Sequence, residues 1–331
     1  MTNLREWSST QNEPSEQEHI TIPQNQIDSM DKKGRFSSYL RSTLMGSSGS
    51  FLSKYFEKES LLSLLRKGVV RVLSVGPTPN HIAFILDGNR RFAQSLNLKE
   101  GDGHKIGFLS LMSMLKYCYE MGVKYVTIYA FSIDNFKRKP HEVQNLMDLM
   151  LEKIGESLEK ESIVNNFGIR VHFIGNLMLL NEQVRAAAKK AMAATAKNDK
   201  AVLSICVAYT STDEIVHAIQ ESYYEKQEET NELNSNDIGV HNGFVEKNPN
   251  DIKVTDIERH MYSAFAPDPD VLIRTSGETR LSNFLLWQTT HCHLYSPSVL
   301  WPNISFWHLV WGILNYQKVH SYLEKKRKKT F

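Results

Sequence analysis

The sequence has few cysteines and almost no excess of charge of either sign. Its 331 residues include three cysteines, which are widely spaced and odd in number, so they form no disulfide framework and favour a reducing compartment. The formal net charge is only +2, whereas a dedicated nucleic-acid-binding domain is markedly basic. We therefore expect no nucleic-acid partner. The apolar fraction of 41% is too high for a wholly disordered chain.

Several well-known motifs are also absent. There is no Walker A sequence, which argues against a P-loop nucleotidase, and the glycines of 101–107 miss the dinucleotide-binding fingerprint by one residue. The Asp-Asp-x-x-Asp metal motif of the all-helical trans-prenyl synthases is missing. His291, Cys292 and His293 look like metal ligands, but strand alternation places Cys292 on the opposite face from both histidines. We expect no zinc at this position.

One long stretch contains no charged residue at all. Residues 281–317 include no Asp, Glu, Lys or Arg, although 23% of the chain is charged. The stretch exceeds the roughly 20 residues that a membrane-spanning helix needs. Pro297 and Pro302 interrupt it, and its three histidines would be costly in hydrocarbon. We therefore expect a surface or core segment rather than a membrane span.

Composition divides the chain into five parts. Residues 1–34 are polar and rich in acids, which predicts a disordered tail without the apolar region of a secretory signal. Residues 35–78 alternate apolar and basic side chains at helical spacing, and this extension either packs on protein or lies on a membrane surface. The main domain is expected over 79–324, with an acidic, Asn-rich mobile loop inserted at 227–252. Residues 325–331 form a basic tail.

The main domain shows strand and helix patterns in alternation. Short apolar strands that alternate with helices predict an α/β fold with a mostly parallel central sheet flanked by helices. The predicted strands cover residues 82–86, 123–131, 169–174, 201–209 and 270–275. The predicted helices cover residues 104–121, 140–160, 182–197, 212–226 and 305–324.

The end of the first strand carries a carboxylate and two guanidiniums. Asp87 and Gly88 follow the strand directly, and Arg90 and Arg91 come next. Ligands of open α/β sheets bind beyond the carboxyl ends of the strands. A carboxylate that holds Mg²⁺ beside arginines that hold phosphate oxygens would explain this combination. The alternative from the residues alone is an ion-paired loop.

Two further strand ends carry similar groups. Ser132, Asn135 and Arg138 follow the second long strand, and a loop with Arg274, Arg280 and Ser282 follows the late strand at 270–275. In isolation the first of these is also compatible with a solvated turn before a helix. If the sheet is parallel, all three loops converge on one edge, which predicts a site for a polyanion such as diphosphate.

Four blocks of this sequence resemble the cis-prenyltransferases. They are His81–Arg91, Gly103–Lys105, Tyr129–Arg138 and Leu272–Gln288, and the resemblance extends over about residues 79–322. The eukaryotic dehydrodolichyl diphosphate synthase branch is the most similar, because it shares the Asp-Gly-Asn-Arg-Arg sequence. The resemblance implies repeated addition of isopentenyl diphosphate to farnesyl diphosphate, with a Z double bond formed at each step. The product would be a long-chain polyprenyl diphosphate for dolichol or polyprenol synthesis.

The resemblance also implies roles for individual residues. Asp87 would hold Mg²⁺ on a diphosphate. The allylic diphosphate would be cradled by Gly88, Asn89, Arg90 and Arg91. Isopentenyl diphosphate would be held by Arg138, Arg274, Arg280 and Ser282. Substrate positioning or proton movement would fall to His104, Ser132 and Asn135. The apolar residues of the helices at 104–121 and 140–160 would line a cavity for the chain, although ordinary core has the same composition.

Two departures from the family pattern concern the metal and the partner. His293 stands where bacterial members carry a metal-contacting Glu, so the second carboxylate ligand is missing. The sequence ends without the Arg-x-Gly tail of homodimeric members. We therefore expect the catalytic subunit of a heteromer on the cytosolic face of the endoplasmic reticulum, in peripheral contact with the membrane. A subunit similar to the Nogo-B receptor would supply the tail, and the aromatic part of 281–317 would contact it.

Two other functions were compared with this one. A phosphatase-like hydrolase would use Asp87 as its nucleophile, but its usual second aspartate is replaced by Asn89. A non-catalytic subunit of a prenyltransferase heteromer would have lost the Asp and Arg groups, which this chain retains.

Overall fold

The structure is a computed structural model, which describes residues 64–99, 101–158, 163–236 and 251–330. The predicted acidic tail 1–34, the extension up to residue 63 and residues 237–250 of the predicted loop lie outside the described residues. Residues 64–73 of the extension are helical. This segment is joined to the main domain because Gln317 Nε2 donates a hydrogen bond of 2.8 Å to the carbonyl of Leu73.

Six parallel strands form one central sheet, in the order β3-β4-β2-β1-β5-β6. This confirms the predicted fold class. The strands are β1 His81–Ile85, β2 Tyr125–Ser132, β3 Ile169–Ile174, β4 Ala201–Tyr209, β5 Val271–Arg274 and β6 His293–Tyr295.

Helices cover the sheet and connect its strands. Pro140 begins one of them at the position where its missing N–H costs nothing, and the side chain of Asn181 caps another by accepting a 2.9 Å bond from Val184 N. The helices are α1 Asn89–Ser95, α2 Asp102–Glu120, α3 Pro140–Ser157, α4 Ile163–Asn166, α5 Glu182–Ala194, α6 Ser211–Asn236, α7 Val254–His260 and α8 Phe306–Thr330.

The predicted mobile loop at 227–252 is wrong over its first part. Helix α6 continues through residues 227–236, and α7 begins at Val254. The extra turns contain three Glu residues, which form helix well, and Glu229 pairs at 2.8 Å with Lys226, three residues earlier in the helix. Residues 227–236 include one apolar residue, Leu233, and so have no apolar stripe, which is why hydrophobic periodicity did not reveal this part of the helix.

Apolar side chains cover both faces of the sheet. Ile82 and Phe84 of β1 pack into the cluster that contains α2 and α8, whereas Ala83 and Ile85 pack into a second cluster on the other face. Because both faces are buried, the groups that can reach a ligand are those at the strand ends.

The uncharged stretch 281–317 is divided among several short elements. It includes the loop after β5, strand β6, a 3₁₀ turn at Trp301–Asn303 and the first part of α8. Among the described residues, no helix has the length and apolar character that crossing a membrane requires. Trp301 is fully buried, but Trp307 and Trp311 on α8 are more than half exposed.

Candidate active site

Three loops that carry charged side chains meet at the carboxyl edge of the sheet. Strand β1 lies between β2 and β5, and Ile85 of β1 pairs with Tyr129 on one side and with Arg274 on the other. The loop after β1 carries Asp87, the loop after β2 carries Ser132–Arg138, and β5 ends in Arg274. The parallel register therefore brings the three sequence clusters to one edge of the sheet.

The backbone of Asp87 is fixed by the loop that follows β5. Its carbonyl accepts hydrogen bonds from Thr275 Oγ1 at 2.6 Å and Ser276 Oγ at 2.9 Å. It also accepts a bond of 2.9 Å from the backbone N–H of Trp301. Three donors on one carbonyl hold the chain rigidly at this point, so the direction of the Asp87 side chain is well defined.

The Asp87 carboxylate contacts two arginines. Arg274 Nη2 donates to Oδ2 at 2.8 Å, and Arg91 Nη2 donates to Oδ1 at 3.1 Å. Partial burial raises the pKa of Asp87, but the hydrogen bonds and positive charges of Arg274 and then Arg91 outweigh it, so the pKa lies below its usual value. Asp87 is therefore ionised at neutral pH, and its side chain remains about 25% exposed.

Arg274 connects this carboxylate to the loop that carries two other candidate residues. Its side chain is buried, and its Nη1 donates to Ser282 Oγ at 2.6 Å and to the carbonyl of Arg280 at 2.5 Å. The planar guanidinium thus spans Asp87 and the 280–282 loop, which a lysine ammonium cannot do. The guanidinium of Arg280 is exposed and pairs with Glu278.

Gly88 is required for both conformation and space. Its φ is +115°, in a region that residues other than glycine rarely adopt. A Cβ at this position would lie 2.7 Å from Ser276 Oγ and 3.0 Å from Leu300 Cα. Gly88 therefore lets the chain turn from β1 into α1 against the neighbouring loops.

Helix α1 packs closely on α2 through two glycines. A Cβ at Gly103 would collide with the carbonyl of Asn89, and a Cβ at Gly107 would collide with Asn89 Oδ1. Asn89 Nδ2 donates to the carbonyl of Leu86 at 3.1 Å, whereas its buried Oδ1 accepts no hydrogen bond from the part of the chain that the structure describes. The Asn89 side chain is thus held in place by Nδ2, while its Oδ1 can still accept a hydrogen bond.

The turn after β2 is held by its own side chains. Ser132 Oγ accepts from Asp134 N at 3.1 Å, and Asn135 Oδ1 accepts from Ser132 N at 3.1 Å. These reciprocal bonds form a capping box around the 3₁₀ turn Ile133–Lys137. Ser132 and Asn135 therefore shape the turn that presents Arg138.

Positive groups crowd the β2 side of the site. Burial, and then the charges of Arg138 and Arg90, lower the pKa of His104 to about 4, so this imidazole is neutral at pH 7. Burial lowers the pKa of Arg138 as well, and the charge of Arg90 adds to the shift. Arg90 pairs with the carboxylate of Glu142 at 3.6 Å. This grouping is typical of a site that an anion completes.

Comparison with known proteins identifies the family. The family described as "Putative undecaprenyl diphosphate synthase" matches residues 85–323, which is most of the chain. The chain belongs to this family of cis-prenyltransferases.

Relatives with curated names support the same assignment. The chain is 57% identical over 277 residues to dehydrodolichyl diphosphate synthase CPT3 of Solanum lycopersicum, covering 82% of this chain and 96% of that protein. It is 56% identical over 276 residues to the rubber cis-polyprenyltransferase HRT2 of Hevea brasiliensis, covering 82% and 96%. It is 40% identical over 270 residues to the human dehydrodolichyl diphosphate synthase complex subunit DHDDS, covering 82% and 76%.

A solved structure shows the same fold. Lavandulyl diphosphate synthase from Lavandula x intermedia, in complex with dimethylallyl diphosphate, is 27% identical with a TM-score of 0.63 and covers 72% of this chain and 95% of its own. The expected resemblance, fold and enzyme class are confirmed, and the chain is a prenyltransferase rather than a phosphatase-like hydrolase.

The structure limits which residues of this prenyltransferase could bind a metal ion. Within the described ranges, no cluster of three or more His, Cys, Asp or Glu side chains is arranged to hold one. His293 begins β6 beside Val271, the first residue of β5, and so lies toward the opposite end of the sheet from Asp87. Mg²⁺ commonly uses one or two carboxylates and completes its shell with substrate phosphates and water. The ionised, accessible Asp87 fits that mode by itself.

Some residues that shape this site were not among the predicted site residues. Thr275 and Ser276 fix the Asp87 carbonyl, and they occur in the hydroxyl-rich Arg-Thr-Ser-Gly sequence, which was a usable signal. Glu142 pairs with Arg90, and no sequence signal pointed to it, because it lies on a helix that starts 50 residues later.

Proposed function

We propose that this prenyltransferase adds isopentenyl diphosphate repeatedly to an allylic primer such as farnesyl diphosphate, forming a Z double bond at each step. The observation that carries the proposal is the ionised Asp87 between two groups of arginines, Arg274 with Arg280 on the β5 side and Arg90 with Arg138 on the β2 side. Two diphosphates bound side by side need several cations around them, and a carboxylate between these cations suits a metal ion.

The two diphosphates are assigned to different loops. Isopentenyl diphosphate binds Arg138, Arg274, Arg280 and Ser282, whereas the allylic diphosphate lies against Gly88, Asn89, Arg90 and Arg91. Asp87 would hold Mg²⁺, and a metal ion bound there would supply positive charge to stabilise the leaving diphosphate. The arginines stabilise the same charge from fixed positions. His104, being neutral at pH 7, contributes a hydrogen bond without a further positive charge.

An apolar channel for the growing chain is proposed between α2 and α3. Several long apolar side chains on these helices are only partly buried, in contrast to Leu111, Leu115 and Met147, which belong to the core. Partly buried apolar walls beside a diphosphate site suit a hydrocarbon chain. These wall residues are Phe108, Met112, Leu146, Met150 and Leu151.

A partner subunit and a membrane are proposed to cover the exposed apolar surfaces. Leu294 on the edge strand β6 is 48% exposed, and Trp307 and Trp311 on α8 are 62% and 55% exposed. An aromatic, uncharged surface of this kind suits a second subunit. In the helical segment 64–73, exposed Leu64, Leu65 and Val72 lie among Arg and Lys side chains, which suits a membrane surface. We place the enzyme at the cytosolic face of the endoplasmic reticulum.

The product class is proposed to be a dehydrodolichyl-type polyprenyl diphosphate. Relatives named dehydrodolichyl diphosphate synthase and a relative named rubber cis-polyprenyltransferase are nearly equal in identity to this chain. Dolichol-type length is preferred because it also agrees with the more distant human relative.

Incubation with labelled isopentenyl diphosphate, farnesyl diphosphate and Mg²⁺, with and without a candidate partner, tests the proposal. We expect long-chain product with the partner, weak or no elongation by the chain alone, and loss of elongation on chelation of Mg²⁺. Asp87→Ala should abolish elongation while preserving the circular dichroism spectrum. Release of inorganic phosphate without chain growth would support the hydrolase instead. Full turnover by the chain alone would contradict the heteromer.

A further inference from the structure

The loop after β5 contains an unusual run of left-handed backbone. Ser282, Asn283 and Leu285 have φ angles of +51°, +58° and +46°, and none of them is a glycine. Such conformations cost free energy and persist only where the surrounding structure enforces them. The loop also carries Ser282, whose Oγ accepts the bond from Arg274, so the cause of its conformation bears directly on the site.

The first turn of α6 is the element that holds this loop. Ser211 N donates to the carbonyl of Asn283 at 2.8 Å, and Thr212 N donates to Asn283 Oδ1 at 3.1 Å. In the reverse direction, Leu286 N donates to Ser211 Oγ at 2.9 Å. The first N–H groups of a helix have no partner within the helix. Asn283 therefore caps the first turn of α6 together with the adjacent Thr210, whose Oγ1 accepts from Asp213 N at 3.3 Å, although Asn283 lies 71 residues further along the chain.

The buried carboxylate of Glu214 binds the other end of the same loop, at Gln288. Glu214 is fully buried in the first turn of α6, and its Oε2 accepts from Gln288 Nε2 at 3.0 Å and from Tyr209 OH at 2.5 Å. Its Oε1 accepts from the N–H and the hydroxyl of Ser263 at 3.1 and 2.9 Å. Burial, and then the charge of Glu214, raise the pKa of Tyr209, so Tyr209 remains a donor. A carboxylate with four donors is a rigid anchor.

These bonds connect α6 to the side chains of the site. Asn283 directly follows Ser282, and the Ser282 hydroxyl receives Arg274 Nη1 at 2.6 Å. The Tyr129 hydroxyl, which donates to the carbonyl of Tyr209 at 3.0 Å, also lies 3.5 Å from the carbonyl of Ser282. Movement of the loop would therefore move the hydrogen-bond partner of Arg274 and the backbone of Arg280.

We propose that Asn283 is a positioning residue, which acts by capping α6 and so holds Ser282 and Arg274 in register for the diphosphate of isopentenyl diphosphate. The proposal rests on the proposed function for the identity of that ligand. Asn283 does not touch the reacting atoms. Its contribution is to fix the loop on which Ser282 lies, before the substrate arrives.

The test compares two asparagine caps in the intact chain, assayed with its partner where activity requires one. Asn283→Ala removes the side-chain oxygen that accepts from Thr212 N in the first turn of α6, and Asn181→Ala removes the cap of α5, which takes no part in the site. We expect Asn283→Ala to raise the KM for isopentenyl diphosphate by about tenfold or more, with little change in kcat or in the KM for the allylic primer. Asn181→Ala should leave all three constants within about twofold, although it lowers the melting temperature similarly.

A conservative variant and an exchange measurement complete the test. Asn283→Asp keeps an oxygen acceptor and tolerates the left-handed conformation, so its KM for isopentenyl diphosphate should return to within about threefold of the wild type. Amide hydrogen exchange over 281–288 should accelerate in Asn283→Ala but not in Asn181→Ala. Equal kinetic constants and equal exchange rates in the two alanine variants would overturn the positioning role of Asn283, even if the wild type elongates. A wild-type protein that fails to elongate would count against the proposed function. The exchange rates would still show whether Asn283 holds the loop 281–288.

Discussion

Two groups of arginines flank Asp87, one on the β5 side of β1 and one on the β2 side. On the β5 side, Arg274 is 5% exposed and donates to Asp87, to Ser282 and to the carbonyl of Arg280. On the β2 side, the side chain of Arg90 is 62% exposed and has Glu142 nearby at 3.6 Å. Arg274 is therefore fixed before any ligand binds, whereas Arg90, like the exposed Arg280, keeps its conformational freedom.

The difference agrees with the two substrates of the proposed reaction. Isopentenyl diphosphate, which is assigned to Arg274 among others, is the same molecule in every cycle, so a fixed guanidinium can be positioned for it once. The allylic substrate grows by one unit each time, and an adjustable group of arginines suits a ligand that must be released and bound again. Binding to rigid donors also has a smaller entropic cost, because these side chains have little conformational freedom left to lose.

Neutralising the shared carboxylate should have the largest effect. In Asp87→Asn we expect kcat to fall by about 100- to 1000-fold, because both the proposed metal ligand and the partner of Arg274 lose their charge. Asp134→Asn is the matched control, since that carboxylate lies in the β2 loop, is 59% exposed and pairs with Lys137 at the surface. It should change kcat by less than about twofold. Steady-state elongation assays would contradict this account if both variants behaved alike.

The two arginines that contact Asp87 should differ in their effect on stability. Arg274→Lys loses the fork that spans three acceptors in a buried position, so the free energy of unfolding should fall by about 2–3 kcal/mol. Arg91→Lys changes an arginine that is 48% exposed and should cost less than about 0.5 kcal/mol. Urea unfolding of both variants measures the difference. Equal losses would mean that the β5 side is no more rigid than the rest of the site.

Two glycine substitutions test the packing on the β2 side. Gly107→Ala places a methyl group against Asn89 Oδ1, so α1 must shift and the free energy of unfolding should fall by about 1–3 kcal/mol. Gly155→Ala in α3 meets no atom of the described residues within 4 Å and should instead stabilise the helix by up to about 1 kcal/mol. Thermal unfolding followed by circular dichroism distinguishes the two. A stable Gly107→Ala protein would show that α1 is not held tightly.

The smallest expected effect concerns the pH dependence of stability. The pKa of His104 is about 4 in the folded protein and 6.5 when unfolded, so the folded state binds this proton more weakly. The neutral form of His104 contributes fully to the free energy of unfolding above pH 6.5. This contribution is lost as the pH falls from 6.5 toward 4. In His104→Gln the difference in unfolding free energy between about pH 7 and pH 5 should be smaller by on the order of 1 kcal/mol. An unchanged difference would mean that His104 is solvated like a free imidazole.

Much of the fold was predictable because its signals are local in sequence. The strands Ile169–Ile174 and Ala201–Tyr209 were predicted with their observed bounds, since both are apolar, β-branched runs that end at turn residues. The three charged strand ends could be placed together as soon as a parallel sheet was inferred. In α6 the extra turns were missed because residues 227–236 are almost entirely polar and so have no apolar period to detect.

The contacts between distant segments could not be predicted from a single sequence. Asn283 caps α6 from 71 residues away, and Asp87 pairs with Arg274 across 187 residues. Neither bond has a local signature, because each depends on the order in which the strands lie in the sheet. The roles of Ser132 and Asn135 in catalysis stay predictions, since the structure shows them bonded to each other across their own turn.

Binding of isopentenyl diphosphate alone, measured by titration calorimetry, tests the central claim most directly. The wild type, Arg274→Lys and Arg91→Lys would be compared without an allylic primer, so that no turnover occurs. We predict that Arg274→Lys weakens binding by about tenfold or more, while Arg91→Lys stays within about twofold of the wild type. Equal weakening in both variants, or none in Arg274→Lys, would contradict the assignment of isopentenyl diphosphate to the rigid side of the site.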